Sequence, residues 1–267
     1  MHAQRLFRVV DPIAGPVWAT AVGGEIRSVD DVFGRCTVGD LLDPDLPRAA
    51  CVGPGKIVCI GRNYAAHARE LGNEIEGEPV LFLKPPSSLI PEGAAIVRPR
   101  AFSELVHHEG ELGVVVGRPL HAASRREAAG AIWGLVPAND VTARDLQRGD
   151  KNWARGKGFD TFCPVGPEIV RVEAAPPIED LTVRVLVDDE VRQDGACRNM
   201  LFPVDACLAY ISRVFTLEPG DLVLTGTPEG VGPLEAGQRV RVEIEGVGRL
   251  ENPVVDGPTL DELPDWR

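Results

Sequence analysis

The sequence predicts a mainly β (α+β) fold with few, short helices and a small β-rich N-terminal segment. Three observations support this. Short runs rich in β-branched residues recur between Gly and Pro punctuation, as in Lys56-Ile57-Val58-Cys59-Ile60-Gly61. Only a few stretches carry a helical period, and they are brief. No strand–helix–strand alternation appears, and no Gly-x-Gly-x-x-Gly follows a strand, which argues against a dinucleotide fold.

The elements follow in order. Residues 1–50 alternate weakly, turn at Gly15-Pro16 and Gly23-Gly24, and read as a small N-terminal domain with a brief helix at Asp40-Leu41-Leu42. Residues 47–54 read as a linker, and residues 51–267 as the main domain, whose first strand is 56–61. Asn63 has the character of a helix N-cap and Gly72 of a helix stop, which predicts a short helix over 64–71. Residues 79–84 form a strand closed by Pro85-Pro86, and 112–116 a buried strand. Ser124 and Glu127 form a capping box for a helix over 124–131. Residues 181–187 alternate as a strand, with Asp188-Asp189 as its turn. Residues 202–215 are the strongest amphipathic helix, with Val204, Cys207, Leu208, Ile211 and Phe215 on one stripe. Strands at 222–224 and 239–244 complete the chain, and no internal repeat is visible.

Composition narrows the function. Hydrophobic residues are 44% and charged residues 25% of the 267, ordinary for a globular chain of one large domain or a domain with a small appendage. The formal net charge is -12 and no basic run of five residues occurs, which disfavours nucleic acid. No stretch has the length of a transmembrane helix, and Met1-His2-Ala3-Gln4-Arg5-Leu6 starts no signal-peptide core. The six cysteines, Cys36, Cys51, Cys59, Cys163, Cys197 and Cys207, form no Cys-x-x-Cys pair or zinc spacing. The expectation is a cytoplasmic chain with reduced thiols.

The chemistry concentrates in Glu109 and Glu111. Extending the strand 112–116 backwards puts both on one face, because side chains alternate with period two. Two like charges side by side repel and call for an offsetting group, of which a divalent cation is the simplest. With Asp140, in Asn139-Asp140-Val141-Thr142, they make three carboxylates without a Cys or His ligand, a set that selects Mg²⁺, Mn²⁺ or Ca²⁺ over Zn²⁺. By spacing alone, a solvated strand edge accommodates the same Glu-x-Glu pair.

Three further clusters carry chemistry. His67 and Glu70 lie three apart on one helix face, where the carboxylate can orient the imidazole as a general base; a surface pair has the same spacing. Lys157 stands between Gly156 and Gly158, small neighbours that permit close ligand approach, as an ordinary loop lysine also could. Thr225-Gly226-Thr227-Pro228-Glu229-Gly230-Val231-Gly232 is a strand end opening into a turn able to present amides and hydroxyls to an anion, though alone it is only a loop.

Taken in order, six segments resemble the fumarylacetoacetate hydrolase family in its small single-chain branch. They are Gly61-Arg62-Asn63-Tyr64-Ala65-Ala66-His67-Ala68-Arg69-Glu70, Phe82-Leu83-Lys84-Pro85, His107-His108-Glu109-Gly110-Glu111, Asn139-Asp140-Val141-Thr142-Ala143-Arg144-Asp145-Leu146-Gln147, Lys157-Gly158-Phe159-Asp160 and Thr225-Gly226-Thr227-Pro228. The resemblance covers about residues 56–255. It implies a β-sandwich-like roll, usually paired as a homodimer. It implies that Glu109, Glu111 and Asp140 bind Mg²⁺ or Mn²⁺, with Ca²⁺ as a substitute. His67 and Glu70 would form a catalytic dyad on a mobile lid, Lys157 would stabilise the reacting oxygen, and Arg144, Gln147 and Thr227 would contact a small 2-oxo acid. Gly110 stands where many relatives carry a larger residue, with packing rather than metal binding as the expected consequence.

The activity implied first is hydrolysis of the C–C bond in acylpyruvate-like 2,4-dioxo acids through a metal-stabilised enolate. Decarboxylation or isomerisation of 2-oxo dicarboxylates, such as oxaloacetate or a 2-hydroxy-diene-dioate, uses the same enolate. Cationic side chains around the distal end of the cavity would favour a diacid. A non-catalytic metal-stabilised β domain is the reading from a different class, and the presence of His67, Glu70 and Lys157 argues against it.

Overall fold

The computed structural model describes residues 3–72 and 77–265. An N-terminal meander is formed by β1 (Arg5–Asp11), β2 (Gly15–Val22), β3 (Glu25–Asp30) and β4 (Thr37–Leu41), and the two-residue β5 (Arg48–Ala49) returns beside β1. β6 (Ile57–Gly61), helix α1 (Ala65–Glu70) and β7 (Val80–Lys84) follow, then β8 (Leu89–Ile90), β9 (Ile96–Arg98) and β10 (Val106–His108). β11 (Gly110–Val116), α2 (Arg125–Ala129), β12 (Ile132–Asn139), β13 (Thr142–Ala143), α3 (Arg144–Gly149) and α4 (Ala154–Lys157) form the middle of the chain. The rest is β14 (Cys163–Pro164), β15 (Ile169–Arg171), β16 (Thr182–Val187), β17 (Glu190–Ala196), α5 (Val204–Ile211), β18 (Leu222–Leu224), β19 (Gly232–Pro233), β20 (Arg239–Ile244) and β21 (Gly248–Asp256).

The fold is mainly β, as the sequence predicts. A curled sheet runs β4-β3-β2-β1-β15-β12-β11-β18-β6-β7, and a second sheet runs β17-β16-β20-β21-β9. The N-terminal strands join the first sheet through the β1–β15 pair. The second sheet packs against one face of β11 and β12. On that face Leu112, Val114 and Leu135 meet Val183, Val185 and Val242. On the other face Val115 and Val136 pack with Leu222, Cys163 and Trp133. Trp133 stands edge-on to Phe33 and Trp18, with ring centroids 5.0 and 6.2 Å apart. Burial on both faces explains why residues 112–116 of β11 read as an unbroken apolar run.

Gly110 lies at the tightest point of this contact. A Cβ there would collide with Cγ2 of Val185 and touch Val242 and Val183. The expected packing role therefore holds. Gly110→Val should lower stability by about 1–3 kcal/mol, because the stiff valines opposite cannot turn away; urea unfolding of the metal-free protein measures this.

Several local expectations are corrected. Asp40 and Leu41 lie in β4 rather than a helix, because Leu41 pairs with Arg27 of β3 and the Asp40 amide donates to Ser28 Oγ at 2.9 Å. Asn63 is not the cap of α1. Tyr64 holds that position without a side-chain bond, while the Asn63 side chain reaches the carbonyls of Phe202 and Thr225. The amphipathic segment 202–215 is helical only over Val204–Ile211, since Asn63 also accepts from the Phe202 amide and Phe215 ends in a turn. The stretch 47–54 is packed, with β5 on β1 and Cys51 and Val52 buried. By contrast, Gly72 stops α1 at φ +69°, the Ser124–Glu127 capping box forms, and Asp188 and Asp189 turn at positive φ. No helix among the described residues is long and apolar enough to cross a membrane.

Candidate active site

The register of β11 on β12 creates the acidic cluster. Gly110 pairs with Asn139, so Glu109 faces Asp140 across the end of the ladder, and the Asp140 amide donates to the Glu109 carbonyl at 2.8 Å. Glu111 follows two residues on, on the same face as Glu109. Among the described residues these three form the one cluster of potential metal ligands, with donor oxygens within 4.8 Å of one another and all three residues buried.

Three cations answer the three carboxylates. Lys157 Nζ donates to Glu109 at 2.7 Å and to Asp140 at 2.5 Å. Arg144 donates to the other Glu109 oxygen, and Lys84 Nζ to the other Asp140 oxygen at 2.6 Å. Glu111 is left with one donor among the described residues, the Gly226 amide at 2.7 Å. Burial works against ionisation of Glu109, but Lys157 and Arg144 outweigh it and hold its carboxyl below the usual range. Burial, then the charges of Asp140 and Glu109, push Glu111 well above that range. Burial also disfavours the Lys157 ammonium, yet Asp140 and Glu109 raise its pKa overall. A carboxyl pushed up by burial and by its neighbours' charges, with little hydrogen bonding of its own, has the chemistry of a ligand to a hard cation.

His67 stands on α1 with Nδ1 3.3 Å from Glu70 Oε2. His67 is buried and Glu70 exposed, and the Gly230 amide donates to both Glu70 oxygens at 3.1 and 3.2 Å. The turn expected to receive an anion thus directs its amides at the chain's own carboxylates, Gly226 to Glu111 and Gly230 to Glu70. Gly226 is required there: its φ is +95° and a Cβ would lie 2.7 Å from Asn63 Cβ. The glycines around Lys157 serve packing as well, since a Cβ at Gly156 would lie 2.9 Å from the Gln147 amide nitrogen. Of the segment expected to form the lid, residues 73–76 lie outside the described residues.

One cavity of about 300 Å³ gathers every predicted site residue except Glu70. His67, Glu109, Glu111, Asp140, Arg144, Gln147, Lys157 and Thr227 line it, together with Arg62, Arg148, Phe82 and Trp153. Arg144 donates to Gln147 Oε1 at 2.5 Å across one turn of α3. Sequence reasoning assigned no role to Lys84, which closes β7 fully buried, a state in which a lysine is rarely found without a paired charge. It also overlooked Arg62 and Arg148, which carry no local signal.

The short strand just before the carboxylates, β10, carries two imidazoles, His108 buried and His107 half-buried. Burial holds both His107 and His108 down to about 4, with Arg144 adding to the effect at His107. They are neutral when folded and protonate near pH 6.5 when unfolded. The unfolded chain therefore binds more protons between about pH 6.5 and 4, and their stabilising contribution, full above 6.5, is lost as pH falls through about 4. Urea unfolding of Glu111→Gln with chelator present, in which the opposing titration of Glu111 is removed, should show stability declining across that window.

A β-rich roll with a buried Glu-Glu-Asp cluster and a neighbouring His–Glu pair defines a candidate enzyme centre. Residues 56–255 match the fumarylacetoacetate (FAA) hydrolase C-terminal family, and the chain belongs to that family. It is 43% identical over 200 residues to a mitochondrial oxaloacetate tautomerase of Arabidopsis thaliana, covering 73% of this chain and 89% of that one. It is 41% identical over 196 residues to a mitochondrial oxaloacetate decarboxylase of Dictyostelium discoideum, covering 72% and 89%. Among solved structures, a 2-hydroxyhepta-2,4-diene-1,7-dioate isomerase from Mycobacterium marinum superposes with a TM-score of 0.85 at 38% identity, covering 95% of this chain and all of that one.

Proposed function

We propose that this chain is a Mg²⁺- or Mn²⁺-dependent enzyme of 2-oxo dicarboxylates that takes its substrate through the enol, by tautomerisation, decarboxylation or isomerisation. The observation that carries this reading is the cavity wall, where Arg62, Arg144 and Arg148 line the same cavity as the acidic cluster. One carboxylate of a diacid would lie with its keto oxygen near the cluster, and the other would be met by the arginines. The names of the tautomerase, decarboxylase and isomerase relatives all describe diacid chemistry.

Glu109, Glu111 and Asp140 would hold the cation. When bound, it acts as a Lewis acid on the 2-oxo acid's oxygens. Arg144 and Gln147 would fix the substrate carboxylate, and the Thr227 turn would close the site beside Glu111. Lys157 keeps positive charge at the wall where the keto oxygen gains electron density. Glu70 orients His67 through Nδ1, which leaves Nε2 to take a proton from the carbon next to the keto group and return it elsewhere.

The same His67–Glu70 pair favours a second reading, hydrolysis of acylpyruvate-like 2,4-dioxo acids, in which His67 would activate water instead. Turnover of oxaloacetate and acetylpyruvate with Mg²⁺, with and without chelator, separates the two. Higher kcat/KM on oxaloacetate, lost to chelator, is expected. Preference for acetylpyruvate would select the hydrolase, and undiminished turnover in chelator would overturn metal dependence. Homodimer formation is part of the proposal; sedimentation at the mass of two chains is the expected result.

A further inference from the structure

Gln193 lies on β17, the outermost strand of the second sheet, yet it is only 1% exposed. A bulge explains why. Val185 pairs with Gln193 and Leu186 with Val191, so Arg192 is the extra residue. Glu190, Val191 and Arg192 are all exposed, and the bulge re-aims the next side chain inward. Gln193 thereby reaches the back of β11, the face opposite the carboxylates.

There it uses its whole side-chain amide. Oε1 accepts from the Gly110 amide at 3.0 Å and lies 3.1 Å from His108 Nδ1. Nε2 donates to Thr227 Oγ1 at 2.8 Å and to the Pro228 carbonyl at 2.7 Å. The amide's orientation is fixed by partners that allow no choice: a backbone N–H only donates and a carbonyl only accepts. His108 must then carry its proton on Nδ1. Thr227 Oγ1 in turn donates to the Gly110 carbonyl at 2.8 Å. Both polar groups of Gly110, the residue between Glu109 and Glu111, are thus held by one network. The surrounding backbone is shaped to it. A Cβ at Gly195 would collide with Pro228, and one at Gly230 with the Arg192 carbonyl.

We propose that Gln193 is a positioning residue of the metal centre. From behind the ligand strand, it fixes the backbone that spaces Glu109 and Glu111, and it locks that strand to the turn supplying Gly226 and Thr227. The inference rests on the reading of Glu109, Glu111 and Asp140 as metal ligands. Partners one step removed from a metal typically govern affinity by about 10–100-fold.

The test is Mn²⁺ titration of the full chain, without substrate, for the parent, Gln193→Met, Gln193→Asn and Val183→Ala. Val183 packs on the same face of Gly110 but makes no side-chain hydrogen bond, so it reports loss of packing alone. Both Gln193 variants are expected to bind Mn²⁺ at least about tenfold more weakly, with Val183→Ala within about twofold of the parent. Parental affinity in either folded Gln193 variant, or an equal loss in Val183→Ala, overturns the positioning role alone. A parent that binds no Mn²⁺ overturns the metal reading and this inference with it. The parent also offers a check independent of variant folding: ¹⁵N NMR of His108 is expected to show the neutral Nδ1–H tautomer, and the Nε2–H tautomer would contradict the network.

Discussion

Glu111→Gln is expected to abolish metal-dependent turnover while leaving the metal-free protein at least as stable as the parent. Burial first, then the charges of Asp140 and Glu109, push the Glu111 carboxyl well above the usual carboxylate range. A group whose folded pKa is raised gives stability that is full below its unfolded value of about 4.3 and is lost as pH rises through the folded one. Near neutral pH the metal-free parent therefore carries that penalty. Glutamine has the shape of the protonated carboxyl and can still accept from the Gly226 amide, so it removes the penalty without leaving a hole. The cation, however, loses an anionic ligand. Lewis-acid assistance is worth several kcal/mol, so kcat/KM should fall by at least about 10³-fold. Thermal unfolding in chelator, read beside Mn²⁺ titration and turnover, checks both halves. A variant that keeps full Mn²⁺ affinity would remove Glu111 from the ligand set.

His67→Ala is expected to cut hydrolysis of an acylpyruvate by about 10²–10⁴-fold, the usual contribution of a positioned general base. The imidazole sits in the cavity wall with Nδ1 3.3 Å from Glu70, and Glu70 is itself held by the Gly230 amide. On the proposed reading, removing it takes away the base but no metal ligand, so Mn²⁺ affinity should barely change. Loss of CO₂ from oxaloacetate needs no water nucleophile, and that rate should fall less than hydrolysis. Equal losses on both substrates would mean that His67 orients the substrate or closes the site. No loss on either would leave His67 and Glu70 as a structural pair with no part in the chemistry.

What the sequence made legible follows periodicity and order. Period-two spacing puts Glu109 and Glu111 on one face, and a three-residue helical offset brings His67 to Glu70. The approach of Asp140 to Glu109 was not legible from spacing, because it depends on the register Gly110–Asn139 across thirty residues of chain. The resemblance supplied that link. Lys84 escaped notice because its partner, Asp140, lies 56 residues away. Asn63 misled because it is a good cap by type, yet tertiary partners at Phe202 and Thr225 claimed its side chain. Asp40 and Leu41 misled because a short segment takes its conformation from the neighbour it pairs with. Gln193 gave no warning at all, since its inward direction comes from a bulge that alternation does not encode.

One hard cation among Glu109, Glu111 and Asp140 is the proposed centre of the chemistry. The most direct measurement is a crystal structure grown with Mn²⁺ and oxalate, with the metal located by its anomalous scattering. A single strong peak is expected within about 2.0–2.6 Å of oxygens from all three side chains, with oxalate reaching the same ion from the cavity side. A peak elsewhere, or none within reach of these carboxylates at saturating Mn²⁺, would contradict it.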